Sequence, residues 1–346
     1  MATASATASQ PAAGARPLPR PDWLPSDIWP FETKAIDVDG AAVAVTDAGQ
    51  GPTVVLYTGI GSFIWRDVMI QLSADFRCIA VDPPGIGLSA PIPRIEARLT
   101  RSARGVAAVL ETLHLHDVTL VVHDTGGPAA LAAASRMPDR IRGLVGVNTF
   151  GWKPSGMAFR SMLAVMGSGL TRSFSLRTGT LARVTASAFG VGRHLDERSR
   201  RAYRIGLQKS MEAFHDYLHD ARESAVYEEL ARAFAGPLAR LPLLTIFGER
   251  NDPLGFQPQW KTLFPGARQV VVSKGNHFPM CDDPSYVATE IRQWHREGES
   301  RSSIAGCEAG EPEGGDSPAN ECGDAGYCLP VPITRTSAAC IIEPIS

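Results

Sequence analysis

One short segment of the sequence combines an acidic side chain with the glycines that a sharp backbone turn requires. It reads Val-His-Asp-Thr-Gly-Gly over residues 122–127, between a β-branched run and an Ala-rich run. A strand that turns abruptly into a helix holds the side chain at the turn above the sheet, and the next backbone amide is left free to bind an oxyanion. We therefore interpret Asp124 as a nucleophile, although the segment alone fits an Asp that caps the following helix equally well.

The order of polar residues along the chain favours the catalytic interpretation of Asp124. Triads built on such a turn run in the order nucleophile, acid, histidine. Asp252 follows a later apolar run, and His277 follows the last apolar run of this kind. The sequence therefore predicts Asp252 as the acid that orients His277, and His277 as the base.

The acid has rivals in the sequence. Glu249 stands nearer the end of the same apolar run, and Asp82 ends an earlier one. Asp252 itself could merely cap a turn before Pro253. The other place for a triad acid, after residues 142–150, offers Asn148, which is neutral and cannot serve as a carboxylate. Asp252 is therefore the preferred acid.

These residues need a scaffold that brings several strand ends together. Short apolar runs alternate with helix-like segments, which predicts a parallel sheet covered by helices on both faces. A hairpin turning at Asp39-Gly40 is expected at the sheet edge. The predicted strands of the parallel part cover residues 53–59, 77–85, 118–124, 142–150, 241–249 and 267–275.

The alternation defines the expected domain organisation. We predict a core from residues 25–151 and 237–298, and a helical cap from residues 152–236, which contain helical patterns and no strong strand. An insertion there would cover the carboxyl ends of the strands, where ligands bind in open α/β sheets. Residues 1–24 are expected to be a flexible leader. Residues 299–346, rich in Gly, Pro, Ser and acids, are expected to be a disordered tail.

Composition excludes several classes of function. The 346-residue chain has a formal net charge of −2 at pH 7, so no global field favours nucleic acid or an anionic membrane. No run approaches the roughly 18 apolar residues that span a bilayer, and the N-terminus lacks the apolar segment of a secretory signal. We therefore expect a cytoplasmic protein. The spacing of the six cysteines fits no familiar zinc site, and no metal or organic cofactor is implied.

Three motifs resemble one branch of a known superfamily. The sequences HDTGG at 123–127, GERNDPLGFQPQW at 248–260 and GNHFP at 275–279 are similar to those of haloalkane dehalogenases and epoxide hydrolases. The similarity covers roughly residues 25 to 297 and implies the α/β-hydrolase fold, a mostly parallel twisted sheet flanked by helices with a helical cap.

An aspartate nucleophile restricts the chemistry. A carboxylate that attacks an sp³ carbon bearing a leaving group forms an alkyl ester, and it is already ionised at neutral pH. His277, oriented by Asp252, would then activate the water that hydrolyses the ester of Asp124. The resulting oxyanion needs two N–H donors, for which the backbone amides of Thr125 and Ile60 are the candidates.

The chain departs from both families at the leaving group. The usual halide-binding Trp and Asn of the dehalogenases are replaced by Thr125 and Ile60, so the Thr125 hydroxyl or Trp152 would have to hold the halide. An epoxide hydrolase would protonate its leaving oxygen with a cap tyrosine, for which Tyr203 and Tyr217 are available.

The resemblance to the dehalogenases is slightly the stronger of the two. The expected partners are a small apolar organic substrate and water. A non-catalytic ligand-binding protein on the same fold is the alternative outside enzymes. The sequence predicts no oligomeric state.

Overall fold

A single mixed sheet forms the centre of the protein in a computed structural model that describes residues 14–308, with side chains over residues 14–298. Within these residues the sheet has nine strands in the order β1-β2-β3-β5-β4-β6-β7-β8-β9. Strands β4 to β9 pair in parallel, and β1, β2 and β3 add an antiparallel edge. The strands are β1 Ala15–Pro17, β2 Thr33–Val38, β3 Ala41–Ala48, β4 Thr53–Thr58, β5 Arg77–Val81, β6 Val118–Asp124, β7 Ile141–Thr149, β8 Leu243–Gly248 and β9 Arg268–Val272.

The edge hairpin turns where the sequence predicts it. Asp39 and Gly40 both have positive φ, 51° and 78°, which suits the tight turn that joins β2 to β3. The parallel strands also lie where they are predicted, because strands buried on both faces are nearly continuous apolar runs. All residues of β8, for example, are buried.

Helices cover both faces of this sheet and lie at its ends. Helix α3 follows β6 directly and is almost wholly buried, because its alanines and glycines allow close packing on the sheet. The core helices are α1 Arg66–Leu72, α2 Leu99–Thr112, α3 Gly126–Arg136, α9 Phe256–Leu263, α10 Pro279–Asp282 and α11 Pro284–Glu308. No helix of the described part is long and apolar enough to cross a membrane.

Five further helices fill the segment between β7 and β8. They are α4 Met157–Met166, α5 Gly169–Thr178, α6 Thr180–Thr185, α7 Glu197–Asp220 and α8 Val226–Phe234. Helix α7 begins at Asp196, whose side chain accepts a hydrogen bond from the amide of Ser199. Helix α8 packs on α3, where Glu229 pairs with Arg136 at 2.7 Å. The last helix of the insertion thus joins the core layer, and the division into core and cap at residues 152–236 stays a prediction.

Parts of the predicted leader and of the predicted tail form regular structure. Residues 15–17 of the predicted leader form β1, and Leu24 is buried. Helix α11 continues to Glu308, ten residues beyond the predicted end of the core. The rest of the predicted leader, residues 1–13, and of the predicted tail, residues 309–346, lies outside the described residues.

Candidate active site

Asp124 lies at the sharp turn between β6 and α3. Its backbone has φ 50°, an uncommon left-handed conformation for a residue other than glycine. The turn is tight because α3 begins against β4: a Cβ added at Gly126 would lie 2.6 Å from the Cα of Thr58. The strained turn therefore presents the Asp124 carboxylate at the carboxyl end of the sheet.

His277 faces this carboxylate from the loop after β9. Its Nε2 lies 3.7 Å from Oδ1 of Asp124, and the two side chains are 35% and 22% exposed. The distance is longer than a hydrogen bond, and catalytic contacts of this kind often tighten only when substrate is bound. The structure therefore brings together the predicted nucleophile and the predicted base.

Asn148 holds the histidine loop in place. A bulge in β7 gives Asn148 a positive φ of 38° and turns its side chain toward the loop. Its Nδ2 donates to the carbonyls of Asn276 and His277 at 2.8 and 2.9 Å, and its Oδ1 accepts from the amide of Gly248 at 3.1 Å. Both ends of this amide are used for backbone contacts, so Asn148 positions the loop and not the imidazole ring.

Asp252 does not occupy the place of the acid. Its Oδ1 accepts from the amide of Phe256 at 2.6 Å and its Oδ2 from the amide of Gln257 at 2.9 Å. These are the free donors at the start of α9, so the carboxylate caps that helix. No hydrogen bond joins Asp252 to His277 among the described contacts, and the prediction of Asp252 as the orienting acid is corrected accordingly.

The rival acids also have other partners. Glu249 accepts from the amide of Lys274 at 2.6 Å. Asp82 accepts from the amides of Ser62 and Leu88 at 2.6 and 2.7 Å. In each case the carboxylate closes a turn of the backbone, so neither rival replaces Asp252 as the partner of the histidine.

The side chain at Nδ1 of the imidazole, where the acid was predicted, is that of Asn251. Its Nδ2 lies 3.1 Å from Nδ1 of His277. Asn251 was missed in the sequence because it is neutral and directly precedes an acidic residue. The only signal available was its place, three residues after Gly248 at the end of β8.

His123, the residue before the nucleophile, is a fixed part of the scaffold. It is fully buried, with Nε2 2.9 Å from the carbonyl oxygen of His277 and Nδ1 3.1 Å from the Thr58 hydroxyl. Burial, reinforced by the neighbouring His277, lowers the pKa of His123 to about 3. His123 is therefore a neutral ring that links β4 to the histidine loop.

The surroundings keep Asp124 ionised. Burial by itself raises the pKa of this carboxyl, but His277, His123 and the backbone amide of Thr125 together outweigh burial, and the pKa lies below its ordinary value of 3.8. The nucleophile is therefore an anion at neutral pH without the help of a base.

The two residues predicted to supply oxyanion donors line the same cavity as the nucleophile. Thr125 begins α3, and Ile60 follows β4 and lines the same cavity. A Cβ at Gly59 would lie 2.1 Å from the Thr125 hydroxyl, which shows how closely the two segments approach. That hydroxyl is 3.5 Å from Oδ2 of Asp124. The oxyanion role of the two amides stays a prediction.

A cavity of about 370 Å³ opens above Asp124. Its walls are mainly apolar, and its few polar side chains include the nucleophile, the histidine and Asn251. Within the described residues the lining has no Trp, Tyr, Lys or Arg. The apolar lining includes Phe150, Phe159, Leu163, Met211, Phe214, Leu218, Phe247, Phe256 and Phe278. Such a chamber suits a small apolar molecule.

Three of the four predicted leaving-group donors lie away from this cavity, and Thr125 lines it. Trp152 packs edge-on against Phe256 and Trp260 and does not line it. Tyr217 donates to the carbonyl of Pro84 at 2.9 Å. Tyr203 is buried beside Phe63, at a smaller, separate cavity. The predictions for Trp152, Tyr203 and Tyr217 are therefore corrected: Trp152 packs on the core helix α9, and the packing of α7 points Tyr203 and Tyr217 elsewhere.

Comparison with known proteins agrees with the fold. A family profile described as alpha/beta hydrolase fold matches residues 52–284. A haloalkane dehalogenase 2 of Mycobacterium tuberculosis is 27% identical over 286 residues, which cover 78% of this chain and 97% of the relative. A haloalkane dehalogenase of Agrobacterium fabrum is 38% identical over 113 residues, 32% of this chain and 37% of that protein.

Solved structures share the architecture. The haloalkane dehalogenase DbeA of Bradyrhizobium elkani superimposes with a TM-score of 0.65 at 24% identity, covering 77% of this chain and 98% of that protein. A thermophilic esterase of Thermogutta terrifontis gives 0.62 at 23% identity, covering 76% and 97%. At these identities the likeness shows the fold alone. Because the family profile spans more than half of the chain, the chain belongs to the α/β-hydrolase fold family.

Proposed function

We propose that this protein displaces halide from small apolar haloalkanes, with Asp124 as the nucleophile. The observation that carries the proposal is the place of Asp124, at a strained turn, opposite His277, in the lining of an apolar cavity. A serine at this place would attack esters. A carboxylate instead suits an sp³ carbon, because its attack there yields an ordinary ester.

In the first step Asp124 attacks the carbon that bears the halogen. A carboxylate oxygen forms a bond to that carbon, and the carbon–halogen bond breaks with its electron pair, which gives an alkyl ester and free halide. Thr125 is the candidate to support departure of the halide, because it lines the cavity and its hydroxyl lies 3.5 Å from Oδ2 of Asp124. Step one needs no base, because Asp124 is already ionised.

In the second step water attacks the carbonyl carbon of the Asp124 ester. His277 takes a proton from this water, and the amides of Thr125 and Ile60 hold the oxyanion. Collapse of the tetrahedral intermediate releases the alcohol, to which the proton is returned, and regenerates the carboxylate. The expected products are one alcohol, one halide and one proton per substrate.

Epoxide opening is less well supported by the cavity. An epoxide oxygen needs a proton donor as its ring opens, and within the described residues no tyrosine lines the space above Asp124. Tyr217 already donates to a backbone carbonyl. The absence of such a donor favours a leaving group that departs as an anion, as a halide does.

The experiment is halide release from a series of 1-bromoalkanes and 1-chloroalkanes, followed with alcohol formation. The wild type should release halide, and Asp124→Ala should release none above the solvent rate. Asp139→Ala, in an exposed turn after α3, is the matched control and should behave as wild type. Equal halide release by Asp124→Ala and wild type would refute the proposal. If the protein released no halide and instead converted epoxides to diols, epoxide hydrolysis would replace the proposed function.

A further inference from the structure

The place of the triad acid is taken by an amide. Asn251 lies 3.1 Å from Nδ1 of His277, and the nearby carboxylates of Asp252, Glu249 and Asp82 all accept from backbone amides elsewhere. The remaining polar residue at the sheet end, Asn148, is an amide as well and holds backbone groups. His277 therefore has no carboxylate behind it among the described contacts.

A neutral amide can contact the imidazole in two ways. With Nδ2 of Asn251 toward the ring, its N–H donates to Nδ1, the ring proton lies on Nε2, and His277 cannot accept a proton from water beside Asp124. With the amide turned over, Oδ1 accepts from Nδ1–H and Nε2 is free. The imidazolium formed in the reaction then still has no negative partner. In either orientation, no carboxylate at Nδ1 stabilises the charge that the ring gains when it takes a proton from water.

Replacing the carboxylate by an amide at His277 affects ester formation and ester hydrolysis unequally. Formation of the ester needs only the anion of Asp124, whose pKa is already lowered by its surroundings. Hydrolysis of the ester needs a base. In serine triads an Asn in place of the Asp lowers the rate by about 10⁴-fold, because the wrong tautomer is held. The amide therefore leaves the rate of ester formation unchanged and slows hydrolysis of the ester.

We propose that Asn251 is the positioning residue of His277 and that, because it carries no charge, the alkyl ester on Asp124 persists after halide has left. This inference rests on the proposed function. It assigns to the protein a rapid covalent capture of a haloalkane, with loss of one halide per active site, followed by slow release of the alcohol. The carbon–oxygen bond to Asp124 is intact in the state that accumulates.

Rapid mixing of excess 1-bromoalkane with the wild type tests this inference without any substitution. Bromide should appear in a burst of about one equivalent per enzyme, because each active site forms one ester, followed by a slow phase. Intact-mass spectra taken after the burst should show the added alkyl group. Continuous turnover with no burst and no added mass would overturn the inference.

Asn251→Asp then tests the role of the amide. The slow phase should accelerate by about 10²- to 10⁴-fold while the burst rate stays within a few-fold, because only the second step uses the base. A purely structural role for Asn251 would lower both phases together. Gln259→Glu is the control: it adds the same charge on α9, outside the lining of the cavity, and it should not accelerate the slow phase.

The outcomes separate the two proposals. If the wild type released halide steadily and Asn251→Asp did so at the same rate, the inferred role of Asn251 would be overturned and the proposed function would stand. No halide and no added mass from the wild type or either variant would overturn both. A burst with a persistent ester that Asn251→Asp abolishes would support both.

Discussion

Gly126→Ala is the sharpest test of how the fold builds the site. The new Cβ would lie 2.6 Å from the Cα and 2.7 Å from the carbonyl carbon of Thr58, and 2.9 Å from the amide nitrogen of Gly59. These are backbone atoms of β4 and the loop after it, so no side chain can rotate away. Since ordinary contacts begin at 3.4 Å, α3 and β4 must separate by about 0.8 Å in a close-packed interior.

Two measurable consequences follow from this separation. Overpacking of this kind lowers the free energy of unfolding by about 1–3 kcal/mol. The shift also moves the amides of Thr125 and Ile60 apart, and loss of one oxyanion donor slows ester hydrolysis by about 10²- to 10³-fold. Urea denaturation measures the first effect. The decay of the alkyl ester in mass spectra, after substrate is removed, measures the second.

Gly169→Ala is the matched control, because a Cβ there meets nothing within 4 Å and its φ is not positive. It should leave ester decay unchanged and alter the free energy of unfolding by less than about 1 kcal/mol. If Gly126→Ala were as stable as Gly169→Ala and its ester decayed at the wild-type rate, the close approach of α3 to β4 would not position the oxyanion donors.

Three further predictions concern single side chains. Asp252→Asn should lower the free energy of unfolding, measured in urea, by about 1 kcal/mol, because the charged cap of α9 is lost. Slower ester hydrolysis at unchanged stability would instead identify Asp252 as the acid. The free energy of unfolding should rise between pH 3 and pH 6.5, because unfolded His123 binds a proton in this window and folded His123 does not. His123→Asn should flatten that rise in parallel urea titrations, and an identical slope would show that another group causes it. The rate of ester formation, measured by stopped flow as bromide release, should at pH 3.8 be more than half of its value at neutral pH, because the pKa of Asp124 lies below 3.8. A rate below half of that value would contradict an ionised nucleophile.

The fold could be predicted from the sequence because its signals are local and strong. Strands β4 to β8 are apolar runs buried on both faces, and the Asp-Gly turn between β2 and β3 has its own conformational preference. The turn at Asp124 was visible for the same reason, since its glycines and the flanking runs are adjacent in sequence. The mostly parallel sheet predicted from these signals is present, and the α/β-hydrolase fold that the motif resemblance implies is confirmed by the family comparison.

The site could be predicted only in part because it depends on the direction of individual side chains. Asn251 and Asp252 are neighbours in the loop after β8, and the backbone of that loop decides which one faces His277. The sequence favours Asp252 as the partner of His277 because it carries a carboxylate. In the structure that carboxylate caps α9 instead. The predictions for Trp152 and Tyr203 were wrong for a different reason. Trp152 packs on Trp260 of α9, and Tyr203 on the inserted helix α7 packs on Phe63. Both contacts join residues far apart in the sequence, so no local pattern predicts them.

The most direct test of the central claim is the mass of the peptide that contains Asp124. We would incubate His277→Asn with mixed 1-bromoalkanes, digest the protein and sequence the modified peptide by tandem mass spectrometry, with Asp124→Ala treated in parallel. An alkyl group on Asp124, one equivalent of bromide per protein and no adduct in Asp124→Ala are the predicted results. Bromide release with no adduct on Asp124, or an adduct that survives in Asp124→Ala, would contradict an aspartate nucleophile.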